Sequence, residues 1–194
     1  KSTVKLSDSL TAATLDYYLP VNTVYLIRTS GSTGLSKTVL IHTDNLIKHL
    51  EYRISETSYS SHVAHTSAWS FDASLTVLFS TMVKGGSLSI LPLITEFSQS
   101  DDFFKLLSDT NVNEINMVPS LLRLFISYGL DKTSIHTITS AGEELSPEIA
   151  CLIHHDSPIQ LINEYGPSEC TILATRSLIS ESSIDHPTIG VPIL

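Results

Sequence analysis

The 194 residues are 42% hydrophobic and 16% charged, the make-up of a globular chain long enough to bury a sizeable core, which excludes a disordered or collagen-like protein. Eleven Lys and Arg against twenty Asp and Glu give a formal charge of -9, and the bases are scattered, so a nucleic-acid partner is not expected. No apolar run approaches the ~20 residues of a membrane span, and two distant cysteines, Cys151 and Cys170, without CxxC spacing suit a reducing, cytoplasmic setting.

Along the chain, short β-branched runs alternate with helix-period stretches, the pattern of parallel strands joined by crossover helices. Strands are expected at residues 23–28, 38–42, 62–66, 87–91, 113–117, 135–139, 159–162 and 171–178. Helices are expected at 44–55 with Thr43 as cap, at 74–83 ended by Gly85 and Gly86, at 101–107 capped by Ser100, and at 119–128 with Pro119 in its first turn and Gly129 past its end. A fifth follows the cap Ser146 and Pro147. No repeat or linker divides the chain, so the expectation is one α/β unit, or part of one, with mostly parallel sheets and helices on both faces. The opening stretch lacks the apolar core of a secretory signal and does not start with Met, as in an internal fragment.

Between the first two strands lies Thr29-Ser30-Gly31-Ser32-Thr33-Gly34-Leu35-Ser36-Lys37-Thr38. Its two glycines let successive N–H groups converge on an anion, and its hydroxyls and the Lys37 ammonium add donors and charge, so the loop suits polyphosphate. It misses the Walker pattern by one residue, Ser36, and leads into a strand-forming run where a Walker loop needs a helix. A flexible loop without chemistry is the plain alternative.

Three further segments carry polar groups at element ends. Phe71-Asp72-Ala73-Ser74 opens a helix, where Asp72 either caps it or receives an ammonium group. Ala141-Gly142-Glu143-Glu144-Leu145 follows the sixth strand. Asn163-Glu164-Tyr165-Gly166-Pro167-Ser168-Glu169 follows the seventh, at the carboxyl end where ligands of α/β sheets bind. Glu169 adds a carboxylate whose plain reading is a surface ion pair.

In this order and across most of the chain, the TSGSTG loop, FDAS, AGEEL, NEYGPSE and the terminal Ile189-Gly190-Val191-Pro192 resemble the motifs of the adenylate-forming superfamily, and FDAS resembles the signature of nonribosomal peptide synthetase adenylation domains. The resemblance implies the large N-terminal subdomain of that fold, spanning 1–194 without the C-terminal lid. It implies activation of an amino acid by ATP and Mg²⁺ as the aminoacyl-adenylate, then transfer to the phosphopantetheine of a carrier, with carrier and condensation domains as partners. By the same resemblance Lys37 and Glu169 are catalytic, Glu169 holding the metal. Thr29, Ser30, Gly31, Ser32, Thr33, Gly34, Gly142, Asn163, Glu164, Tyr165, Gly166 and Ser168 line the nucleotide. Asp72 takes the substrate ammonium, and Ala73, Thr76, Asn116, Thr139, Ala141, Glu164, Ile172 and Leu173 form the side-chain pocket.

Thr76, Asn116, Thr139 and Glu164 make that pocket polar, which points to a polar or cationic substrate side chain, although each threonine is equally readable as a core-edge residue. Arg28 and Thr38 depart from the family pattern beside the loop and leave a degenerate scaffold open, and an acyl- or aryl-acid ligase is the other alternative. The isolated chain, without the lid and its Lys, is expected to bind weakly and turn over little. His62 and His65, three apart in a strand, point to opposite faces and do not suit a metal.

Overall fold

The computed structural model describes residues 20–29, 36–56, 62–92, 100–156 and 158–193. Residues Thr23–Thr29 (β1) and Lys37–His42 (β2) pair antiparallel as a separate hairpin. The chain continues through the helix Thr43–Glu56 (α1), the strand His62–His65 (β3), the helix Asp72–Val83 (α2) and the strand Ser87–Ile90 (β4). Then come Ser100–Thr110 (α3), Glu114–Met117 (β5), Pro119–Tyr128 (α4), Thr137–Ala141 (β6), Pro147–Asp156 (α5) and Gln160–Tyr165 (β7). Two short strands, Thr175–Leu178 (β8) and Val191–Pro192 (β9), close the order.

Seven strands form one sheet in the order β4-β3-β5-β6-β7-β8-β9. Its first five strands are parallel, β8 returns antiparallel to β7, and β9 pairs antiparallel to β8. The expected class, a mostly parallel α/β sheet with helices on both faces, is the observed one. Among the described residues no helix is long and apolar enough to cross a membrane.

The strand register sorts side chains by face, because neighbours in register share a side and successive residues alternate. Ala64, Ile115, Ile138 and Leu161 fall in one row. They are 0–3% exposed and pack with Phe103 and Leu107 of α3, Leu122 and Phe125 of α4, and Ile149 and Ile153 of α5. Each buried Ile, Leu or Phe side chain contributes about 1.5–3 kcal/mol, so this face holds the layers together. The opposite face carries Glu114, Asn116, Thr139, Ala141, Glu164 and Arg176. It is covered by α1 and α2 and is the more polar of the two.

Local signals act largely as expected. Helix α2 ends in a Schellman arrangement, with Gly85 at φ +69 and the Gly86 N–H donating to the Thr81 carbonyl at 2.9 Å, which satisfies the last carbonyls of the helix. Ser146 accepts from the Ile149 N–H at 3.4 Å and caps α5. Thr43, in contrast, does not cap α1: its N–H and hydroxyl both donate to the Asn22 carbonyl, tying the helix start to the turn before β1. The cap assigned to Ser100 rests on a side chain outside those described.

The expected strand over 171–178 is the largest departure. Ser168–Cys170 forms a 3-10 turn, and Thr171 and Ile172 take left-handed backbone, φ +63 and +78. The chain must reverse within ten residues to bring β8 back along β7, and the Ala174 N–H closes that loop on the Tyr165 carbonyl at 2.9 Å. The β-branched run there serves a bend, and only residues from Thr175 pair as strand. β7 in turn runs on to Tyr165, which places Asn163 and Glu164 inside the sheet and not beyond it.

Candidate active site

The hairpin β1–β2 holds the phosphate-loop candidate at its tip. Thr29 and Lys37 face each other in register, and Lys37 is exposed. Ser30, Gly31, Ser32, Thr33 and Gly34 lie outside the described residues. Arg28, a departure from the resembled pattern, reaches across the neck of the hairpin, its guanidinium donating to the Ser36 hydroxyl at 2.6 and 3.2 Å. The fork fixes the spacing at which the loop leaves the two strands.

Helix α2 is capped by backbone geometry alone, with Phe71 extended at the cap position and no side-chain bond. Asp72, in the first turn, therefore does not cap. Its Oδ2 is buried without a hydrogen-bond partner, a costly state for a carboxylate unless a donor arrives. The Tyr25 hydroxyl, brought up by β1, is also buried and unpartnered. Its pKa is pushed up first by burial and then by the Asp72 charge, so phenol and carboxylate share one environment.

The AGEEL segment turns at Gly142, φ +88. Glu143 accepts from the Ser120 N–H at 2.9 Å and from its hydroxyl at 3.0 Å, supplying the cap that Val118 does not give α4. In the NEYGPSE segment, Asn163 is buried and donates to the Thr188 carbonyl at 2.9 Å, so its side chain anchors the strand-like terminus. Gly166 is indispensable as glycine: a Cβ there would stand 2.1 Å from the Ile172 carbonyl oxygen. Tyr165 is half exposed, while Ser168 and Glu169 occupy the 3-10 turn. Glu169 is exposed, and among the described residues no three or more His, Cys, Asp or Glu gather as a metal site. A metal held there would depend on phosphate oxygens and water, as Mg²⁺ commonly does.

The pocket positions converge on the polar face. Thr76 is buried and its hydroxyl lies 3.2 Å from His49 Nε2. Asn116 has a buried, unpartnered Oδ1. Thr139, Ile172 and Leu173 are buried, and Ala73 and Ala141 partly so. Glu164 is held by side chains of the chain itself: both its oxygens accept from Arg53 of α1 at 2.6 Å, and Arg176 Nε stands 3.5 Å from Oε1. Arg176 also binds Glu56. Glu164, assigned by resemblance to nucleotide and substrate, lies at the centre of a buried ion network.

A family model described as "AMP-binding enzyme" matches residues 11–194. The chain belongs to that family. The AMP-binding chain is 30% identical over 172 residues to the nonribosomal peptide synthetase imqB of Aspergillus flavus, covering 88% of this chain and 5% of that protein. It is 29% identical over 178 residues to gramicidin S synthase 2 of Brevibacillus brevis, 87% of this chain and 4% of that one. It thus spans a small fraction of the curated relatives it matches. Solved structures with the same fold include the N-terminal subdomain of Klebsiella oxytoca NpsA (TM-score 0.71, 19% identity, 86% of this chain and 42% of that one). The Vibrio cholerae adenylation domain AlmE gives TM-score 0.71 at 20% identity, over 91% and 34%, and PA1221, containing adenylation and PCP domains, 0.71 at 17%, over 86% and 34%.

Within this AMP-binding chain, sequence reasoning missed Tyr25, His49, Arg53, Lys84 and Arg176. A signal existed for two of them: His49 and Arg53 stand three and seven residues after Leu46, and all three are buried on α1. That is a helical stripe turned inward. His49 is pushed down to about 4 by burial and, secondarily, by the Arg53 charge. It therefore faces Thr76 as a neutral ring near pH 7.

Proposed function

We propose that the chain is the N-terminal part of an adenylation domain that activates an amino acid as its aminoacyl-adenylate. The observation that carries this reading is the buried, unpartnered Asp72 Oδ2 at the start of α2. An α-ammonium is the donor that such a carboxylate lacks, and a fatty acid has none. In this reading a substrate carboxylate oxygen attacks the α-phosphorus of ATP, the bond to the bridging β-phosphate oxygen breaks, and pyrophosphate leaves. Lys37 and the hydroxyls of the loop hold the departing phosphates, Tyr165 and Gly166 border the adenylate, and Glu169 holds Mg²⁺. The metal, when bound, neutralises phosphate charge. The chain's own contribution is positioning and charge stabilisation.

The similarity to synthetases and to a PCP-bearing structure supports carrier and condensation domains as neighbours in the parent protein, the carrier receiving the acyl group on its phosphopantetheine thiol. The test is amino-acid-dependent ATP–pyrophosphate exchange by the full-length protein. Exchange with one or a few amino acids is expected, falling at least about a hundredfold in kcat/KM in Asp72→Ala. Exchange with fatty or aryl acids alone, or none from folded protein, refutes the reading.

A further inference from the structure

Asp72, Thr76 and Ser80 recur every four residues along α2 and so lie on one face of the helix. At the helical rise, Thr76 stands ~6 Å and Ser80 ~12 Å beyond Asp72. Along that stretch the structure holds a cavity of about 30 Å³ between α2, Arg53 of α1, and Glu114 and Asn116 of β5, with Lys84 at its far end. That volume accommodates about two water-sized groups.

The walls are chemically unfinished. Arg53 Nε, Ser80 Oγ and Asn116 Oδ1 are all buried without a hydrogen-bond partner, and Ser80 is only 8% exposed. Arg53 spends its two terminal nitrogens on Glu164, which leaves its Nε–H as a donor aimed away from that pair. Lys84 makes no ion pair among the described residues. Burial lowers its pKa, and Glu114 opposes this from a distance. The free groups are thus two cationic donors, a hydroxyl and an amide that can offer either edge, beside the half-buried Glu114 carboxylate, an acceptor.

We propose that this cavity seats the end of the substrate's side chain and selects one terminating in a carboxylate or carboxamide, contacted by Arg53, Ser80, Lys84 and Asn116. The proposal rests on the amino-acid-activation reading. A carbonyl-type oxygen satisfies several of these donors at once. An aliphatic side chain leaves them all unpaired, which is the most selective kind of rejection. A cationic side chain meets Arg53 and Lys84, and of the two carboxylates nearby Glu164 is already bonded through both oxygens, while the field of Glu114 already acts on the Lys84 ammonium. The position of the cavity, at least one turn past Asp72, favours glutamate and glutamine over their shorter homologues.

The test is ATP–pyrophosphate exchange by the full-length protein with glutamate, glutamine, aspartate, asparagine, lysine, ornithine, leucine and phenylalanine. The expected result is the highest kcat/KM for a carboxylate or carboxamide amino acid, at least about tenfold above lysine and leucine. Glutamate above glutamine identifies the acid as the substrate, and the reverse order the amide. Lys84→Met is expected to erode that preference about tenfold, mainly through KM, and Lys84→Arg to retain it. Exchange that is best with lysine, ornithine, leucine or phenylalanine overturns the cavity assignment while activation stands. A preference untouched in Lys84→Met does the same. Exchange with none of the amino acids removes the activation reading, and this one with it.

Discussion

Replacing Arg53 by methionine isolates the buried ion network. Arg53 and Glu164 have side chains only 11% and 6% exposed, and two bonds of 2.6 Å join them. The substitution keeps the apolar stem and leaves a buried carboxylate with only the Arg176 Nε at 3.5 Å. Stranding one member of a buried pair costs ~3–5 kcal/mol, and the surviving Arg176 holds the loss near the lower figure, ~3 kcal/mol. Removing the charge as well, in the double variant Arg53→Met with Glu164→Gln, is expected to recover most of it, because a neutral amide tolerates burial better. Urea titration of the naturally bounded domain, followed by far-ultraviolet circular dichroism, reads both numbers. A single-variant loss below ~1 kcal/mol, or a double variant no more stable than the single, refutes the reasoning.

Further outcomes follow from the same geometry. His49 is held down at about 4 by burial and by Arg53, whereas an unfolded histidine titrates near 6.5. Between those values the unfolded chain binds the extra proton, so stability is complete above ~6.5, falls by roughly 3 kcal/mol in all towards pH 4, and is flat below. His49→Gln is expected to remove that slope from urea midpoints measured across pH 7 to 4.5, and an unchanged slope counts against the assignment. Gly166→Ala drives a Cβ into the Ile172 carbonyl and is expected to destabilise the domain by at least about 2 kcal/mol while suppressing pyrophosphate exchange. A well-folded, active Gly166→Ala protein contradicts that close approach. Glu143→Ala removes both bonds to Ser120 and is expected to cost ~1 kcal/mol, read as a lower urea midpoint with an unchanged slope.

The architecture was legible because its signals are local. Pro119, Gly129, Gly85 and Ser146 act where they stand, and alternating β and α runs leave few arrangements other than a parallel sheet covered on both sides. The loop 166–174 was illegible for the opposite reason. Thr171 and Ile172 have strand-forming side chains, and their left-handed backbone is imposed by the return of β8 against β7, a tertiary demand that overrides propensity. Asp72 was legible as an ambiguity, cap or ammonium receiver, which the empty Oδ2 and the absent cap bond bear on directly. Glu164 was assigned to ligands by resemblance, and its bond to Arg53, 111 residues away, could not be seen. Arg53 falls on the inward stripe of α1 with Leu46 and His49, but a buried arginine is rare unless paired, and the pair is invisible in a linear pattern. The tip of the hairpin, residues 30–35, lies outside the described residues.

The bond between Arg53 and Glu164 closes a loop of 111 residues. A ribosome therefore completes α1 long before it makes the carboxylate that pairs its buried arginine, and during that interval a lone guanidinium is better left in water. The first helix of the pocket is thus expected to dock late, once β7 exists. A chain truncated before Glu164 is expected to leave the underside of α1 exposed, offering chaperones a face that the finished protein covers.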